Sequence, residues 1–350
     1  MNSAGLQYQY NGKSLTATLG SNVGVSGYSQ RDATGNEIRN MKYTNLFPTA
    51  RVNYKLSAQK TVRFNYSGAP QSPSLEQIQP VRENTNPLFI TVGNPLLQQA
   101  FRHSVSLGFN DFKMLSGRSI YFNASFNMQA NSIVSSQKIE NGITTQQYVN
   151  ADGNYNMFVF AFYNAKIAKT NSNVGFNVDL NKSRNVNFIN GIKNSNNTTG
   201  ITFGPEFNTF KEDHYDLQLN PRFSYNKTIS TVSKRQTNYW TQEHNARFNY
   251  FFSKRFQVGT DIEFYFRQKT DAFSGDNNHS IWNANVQYKI FKNRNGIFKL
   301  EMFDILNQKV GFERDINSNY IYEKHYNTLG QYALLTFTWN FTKNFGTETK

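Results

Sequence analysis

The side chains best able to do chemistry are sparse. Five histidines, His103, His214, His244, His279 and His325, show no pair at metal-ligating spacing, and the chain has no cysteine. Disulfides, thiolate metal sites and thiol nucleophiles are therefore excluded together. Asn150-Ala151-Asp152-Gly153-Asn154 has the residue types of a calcium loop but lacks the bidentate acid at the required distance, so it reads as a turn. Gly20, Gly24 and Gly27 fall in a strand pattern with no helix after them, which fits relief of crowding or a bulge rather than a phosphate cradle. No motif announces a Ser/His/acid constellation. The expectation is a protein that is not an enzyme and carries neither cofactor nor metal.

The elements that position these side chains follow from composition and period. The chain has 350 residues, 38% hydrophobic and 15% aromatic, with 31 Phe and 20 Tyr, too aromatic for a solvated coil. Aliphatic residues are too few for the core of an ordinary α/β enzyme of this length. Mean hydropathy is −0.64 and the longest strongly apolar run, Met157 to Phe162, is far short of a membrane helix. The net charge is +14, but the basic residues are scattered, with Lys234–Arg235 and Lys254–Arg255 the densest pairs. A nucleic-acid partner, which needs a patch or stripe, is not expected. Met1 to Ser14 has neither the charged nor the apolar region of a secretory signal.

Strict alternation runs from end to end. Ile120, Phe122, Ala124, Phe126 and Met128 interleave with Tyr121, Asn123, Ser125 and Asn127, and Val174 to Leu180 and Tyr215 to Tyr225 repeat the pattern. So do Ala246 to Phe252, Phe256 to Phe266, Trp282 to Ile290, Phe298 to Met302 and Ala333 to Phe341. The apolar phase of these segments carries no charge. The other phase carries several, including Arg222, Arg247, Asp261, Glu263, Lys289, Lys299 and Glu301.

Connections alternate in length as well. Short polar turns are expected near Asn11–Lys13, Ser57–Lys60, Lys113–Gly117, Lys169–Ser172, Lys211–Asp213, Ser253–Lys254 and Lys292–Asn295. Long loops are expected over Tyr28–Thr44, Gly68–Ala100, Val134–Asn154, Gly191–Asn196, Ser230–Asn238, Thr270–His279 and Lys309–Tyr326. Long strands, an aromatic-rich uncharged face, a polar face and short turns opposite long loops describe a transmembrane antiparallel β-barrel. About fifteen strands are expected in a single all-β region over residues 1–350. The surroundings would be outer-membrane lipid and lipopolysaccharide. The polar phase would line a hydrated interior, or hydrogen-bond a plug or a passing ligand.

Three stretches make the chain resemble the barrel region of TonB-dependent receptor-like proteins of Bacteroidetes type. The first is Leu46-Phe47-Pro48 leading into Val52 to Leu56 and Val62 to Tyr66, followed by Ser67-Gly68-Ala69-Pro70 where such proteins often carry an arginine-rich run. The second is Pro73-Ser74-Leu75 with Gln79-Pro80, then Val92-Gly93-Asn94-Pro95-Leu96-Leu97. The third is Glu301 to Gln308, including Asp304, Leu306 and Asn307, then Arg314, Asn319-Tyr320, and Tyr332 to Phe337. The resemblance implies energised uptake of a scarce nutrient (siderophore, vitamin, glycan or peptide) with an inner-membrane energy-coupling complex as partner. It further implies a ~22-stranded barrel closed by an N-terminal plug. On that expectation the chain is a C-terminal portion, with about seven strands and the plug lying elsewhere. A passive porin and a non-transporting surface or adhesion barrel are the alternatives.

Two further expectations attach to particular residues. Ligand contacts are expected in external loops, with Arg82, Arg314 and Tyr320 as candidates. Simple alternation from Phe298, Leu300 and Met302 turns Asp304 toward lipid, so either it lies beyond the apolar band or a bulge redirects it, and of the two the bulge is expected.

Overall fold

The computed structural model describes residues 2–31, 37–113, 116–270, 278–316 and 321–341. Among these, 21 strands and one helical turn form. In chain order they are β1 (Asn2–Asn11), β2 (Leu15–Arg31), β3 (Glu37–Ser57), β4 (Lys60–Gln71), α1 (Leu75–Ile78), β5 (Arg82–Asn86), β6 (Phe89–Val92), β7 (Ala100–Lys113) and β8 (Arg118–Ala130). They continue as β9 (Ser132–Glu140), β10 (Ile143–Ala151), β11 (Asn154–Lys166), β12 (Ser172–Ile189), β13 (Ile192–Lys211), β14 (Tyr215–Ser230) and β15 (Gln236–Phe251). The last are β16 (Phe256–Arg267), β17 (His279–Ile290), β18 (Gly296–Phe303), β19 (Gly311–Ile316), β20 (Ile321–Tyr326) and β21 (Tyr332–Trp339). The fold is all-β, as the alternation requires.

Fifteen of these are the strands that alternation predicts. The other six, β5, β6, β9, β10, β19 and β20, lie inside segments expected to be loops. Val134–Asn154 is a hairpin, because Asn141 (φ 51°) and Gly142 (φ 78°) form a two-residue turn with both residues left-handed. Asn190 (φ 49°) and Gly191 (φ 78°) do the same between β12 and β13, where a longer loop over Gly191–Asn196 was expected. Gly191 is fixed by its φ alone, since an added Cβ would meet nothing within 4 Å. The expected loop Thr270–His279 falls largely on 271–277, outside the described residues.

The chain divides into two compact units. The first comprises Met1–Tyr163, Val178–Ile201 and Asn226–Asn238. In it β1, β2, β3, β4, β7 and β8 pair antiparallel in that order. The β3–β4 ladder ends at Thr49↔Ser67 while β2–β3 continues to Arg31↔Glu37. Pro48 stands at that end: it has no N–H to give, so β3 beyond it is held by β2. Opposite it Gly68 must stay small, because a Cβ would lie 2.8 Å from both Pro48 Cγ and the Phe101 ring.

The second unit comprises Asn164–Asn177, Thr202–Tyr225 and Tyr239–Lys350, and in it β15, β16, β17, β18 and β21 pair antiparallel. Register gives each face a uniform character. Tyr250, Val258, Val286, Leu300 and Leu335 stand side by side, as do Phe256, Tyr288, Phe298 and Phe337. Aromatic contacts gather at two levels. Phe252–Phe256 (5.4 Å) and Phe298–Phe337 (4.8 Å) lie toward the short turns, and Phe223–His244 (5.1 Å) and Tyr225–Trp240 (5.2 Å) toward the far end. Aliphatic rows between two aromatic levels are the outer surface of a membrane barrel.

Burial confirms the inversion. Leu335 is 68% exposed and Phe252 63% exposed. Each such side chain would cost about 1.5–3 kcal/mol left in water and nothing comparable in lipid. Among the described residues, no apolar side chain of the second unit is buried, whereas Asn177 and Asp304 are.

Candidate functional site

On the opposite face of β15–β18 the same register assembles a polar recess of about 360 Å³. Arg247 stands across from Asp261, Asn285 across from Glu301, and Gln287 across from Lys299. Gly259 stands between Asn249 and Asn285 in the register and must stay small: a Cβ there would lie 2.5 Å from Asn249 Oδ1 and 2.6 Å from Asn285 Nδ2. Asn283 Nδ2 donates to Asp261 Oδ2 (2.8 Å), Lys299 Nζ to Glu301 Oε1 (2.6 Å) and Gln257 Nε2 to Asn249 Oδ1 (3.3 Å). Two cations and two acids balance, so the wall offers matched donors and acceptors rather than one sign of charge. Such a surface suits a polar solute or backbone. Among the described residues no cluster of His and acids could hold a metal ion.

The charges of this recess were legible by phase; its amides were not singled out. Asn249, Gln257, Asn285 and Gln287 fall on the same phase as Arg247 and Lys299, and that parity was the available signal.

The first unit builds a different structure from Ser72 to Ala100. Ser74 Oγ accepts from Gln77 N–H (3.3 Å) while Gln77 Oε1 accepts from Ser74 N–H (2.9 Å), a capping box that starts α1 just after Pro73. Pro80, exposed, follows the turn. Gly93 passes so close to Gln79 that a Cβ would sit 1.8 Å from its carbonyl oxygen. Asn94 is the hub: its N–H donates to Gln77 O (2.7 Å), its Nδ2 to Tyr148 O (2.7 Å), and its Oδ1 accepts from Leu96 N–H (2.9 Å) across Pro95. β6 pairs parallel with β10, Ile90 opposite Thr145, which seats the segment on the β9–β10 hairpin. Asn150 completes the seat by exchanging bonds with Gln98 N–H (2.9 Å) and Gln98 O (3.1 Å). Ile78, Ile90, Leu97, Ala100 and Val134 are all buried here. In the same unit Arg102, Asn127, Gln129, Asn154, Asn156 and Asn185 line a second recess, also about 360 Å³.

The third stretch of resemblance ends a strand. β18 stops at Phe303, and Asp304 adopts φ 49°. Its N–H donates to Asn283 Oδ1 (2.8 Å), and its carboxylate accepts from Gln308 N–H and Lys309 N–H (3.0 Å each). Asp304 is 2% exposed. The expected bulge is thus replaced by a strand terminus: left-handed backbone, not an extra residue in the ladder, turns the carboxylate away from lipid. Asn307 (φ 50°) accepts at Oδ1 from Gln331 N–H (3.2 Å), fastening the turn to the approach of β21, and Leu306 is exposed. Phe47 and Pro48 are half-buried in β3.

The three candidate ligand contacts are not brought together. Arg82 is exposed on β5, opposite Val92. The Arg314 side chain and the whole of Tyr320 lie outside the described residues.

Comparison with known proteins agrees with the inverted burial. The family model described as "Outer membrane protein beta-barrel family" matches residues 1–203. Among curated proteins there is no match. With more than half the chain matched and its apolar side chains turned outward, the chain belongs to the outer membrane β-barrel family, and its place is the cell outer membrane.

Proposed function

We propose that the protein is the barrel of an energised nutrient receptor of the TonB-dependent type, which captures a scarce solute outside and passes it along its polar face. The observation that supports this reading is the folded segment Ser72–Ala100. A diffusion channel needs an open mouth, whereas a receptor needs a preformed surface, and here the longest expected loop has buried apolar residues and a bonded hub at Asn94. The motif stretches around Pro48, Asn94 and Asp304 favour the same type. In this reading the chain binds and conducts rather than catalyses, and a plug and an inner-membrane energy-coupling complex are its partners.

A passive porin is the second reading, favoured by the balanced polar recess on β15–β18. The genomic reading frame upstream of Met1 separates the two. An in-frame plug with a coupling motif is expected; a secretory signal directly before Met1 would assign the porin. Planar-bilayer recording of the whole gene product adds a second measure, with a quiet membrane expected of a plugged receptor and steady ohmic steps of a porin.

A further inference from the structure

In each unit the residues around the short connections carry more positive than negative charge. Seven short connections join β1–β2, β3–β4 and β7–β8 in the first unit and β11–β12, β13–β14, β15–β16 and β17–β18 in the second. Taken with three strand residues on either side, they comprise 68 of the 350 residues. This fifth of the chain holds 13 of the 37 Lys and Arg but only four of the 23 acids, Asp111, Glu212, Asp213 and Asp216. Nine of the fourteen surplus charges therefore sit at the short connections. Solvation alone would be served by either sign, so the bias needs a partner.

An exposed apolar side chain accompanies the cations at every connection: Tyr10, Leu56, Phe112, Ile167, Phe210, Phe252 and Phe291. Phe291 is left-handed (φ 66°) and folds over Gly296, whose Cβ would lie 2.4 Å from its ring. Its neighbours Lys292 and Arg294 are exposed beside it, as are Lys254 and Arg255 beside Phe252. Two of the four acids already have cationic partners: Asp111, 2% exposed, is paired with Arg118 at 2.5 Å and Lys60 at 3.9 Å, and the exposed Asp213 lies 3.7 Å from Lys254, a solvated pair that leaves the lysine open to a headgroup. Apolar rings at the hydrocarbon edge with cations just beyond them match a phospholipid interface, where anionic headgroups attract each added cation.

We infer that the short-connection end of each unit binds the anionic phospholipid headgroups of the leaflet it faces. In an outer-membrane barrel that is the periplasmic leaflet. The inference rests on the barrel fold and not on the uptake proposal.

The test folds the protein into phosphatidylcholine vesicles containing phosphatidylglycerol. Spin-labelled lipids then give the relative association of the two headgroups by electron spin resonance. A several-fold preference for phosphatidylglycerol at low salt is expected, falling toward unity at high salt. Lys254→Gln, Arg255→Gln, Lys292→Gln and Arg294→Gln together should remove at least half of it. Lys42→Gln, Lys182→Gln, Lys234→Gln and Arg235→Gln change the net charge equally away from the short connections and should leave it intact. The pair Lys254→Gln and Arg255→Gln, with a proportionate loss expected, serves if the fourfold variant does not insert. Absence of preference in the parent protein, or equal loss in the two fourfold variants, overturns the inference. Displacement by free glycerol phosphate would assign the cations to a soluble anion and overturn it too.

Discussion

The segment Ser72–Ala100 in the first unit and the β15–β18 wall in the second obey opposite rules of burial. In the first, Leu97 and Ala100 are sealed at 2% and 1% exposure, as in any small soluble domain. In the second, leucines and phenylalanines cover the outside, and what is buried is Gly259, Gly296 and, just past β18, Asp304. The difference shows that burial follows the solvent each region meets. A wall between lipid and a wet interior has no third, dry layer to fill, while a segment standing in water must make its own.

The sharpest way to break this comparison is to truncate a core residue. Leu97→Ala should cost about 2–5 kcal/mol, because it leaves a cavity that its neighbours can only partly fill. The loss should be local, with limited proteolysis cutting between Ser72 and Ala100 while the strand signal in circular dichroism persists. Global unfolding at the same denaturant concentration would mean that the segment and the strands form one cooperative unit.

Next come two adjacent residues on opposite faces of β17. Val286→Arg should cost about 2–4 kcal/mol if it lies near the bilayer midplane, and Gln287→Arg under about 1 kcal/mol, since it enters a hydrated recess. Denaturant titration in vesicles reads both. Equal costs would mean that the two faces do not meet different solvents.

Asp304→Ala tests how the wall ends. It removes two captures of backbone N–H, at Gln308 and Lys309, and should cost about 1–3 kcal/mol. Asp304→Asn keeps an acceptor and tolerates φ 49°, so it should recover a good part of that. Gly191→Ala should cost about 1–2 kcal/mol for holding an alanine at φ 78°. The same exchange at Gly142, also at φ 78°, should match it, because neither position has a steric neighbour.

These positions also mark where sequence reading succeeds and fails. The fifteen long strands were legible because a face bathed in lipid admits no charge, so the period of two is written without interruption. The recess was half legible: phase reveals Arg247, Asp261, Lys299 and Glu301, but only register tells which amides stand beside them. The β9–β10 hairpin was hidden by composition, since Gln137, Gln146 and Gln147 look like loop residues when neither face needs to be apolar. The Asn-Gly pairs at 141–142 and 190–191 were the stronger signal, as few dipeptides accept two left-handed residues in succession. Asp304 was read correctly as an exception. Its resolution needed the backbone angle, which alternation does not encode.

The smallest effect is the most discriminating about the recess. Lys299 and Glu301 are paired at 2.6 Å on one strand, with side chains 34% and 20% exposed. If water fills the recess, the pair is screened and its carboxylate and ammonium remain solvated when separated. A double-mutant cycle with Lys299→Gln and Glu301→Gln should then give a coupling under about 1 kcal/mol, shrinking further in high salt. A dry recess would give a different result. Removing one partner would strand the other charge without water, at a cost of about 3–5 kcal/mol for either single exchange, and the coupling would be large and insensitive to salt. That outcome would place β15–β18 under the same burial rule as Ser72–Ala100, and the polar wall would have to be counted as a core.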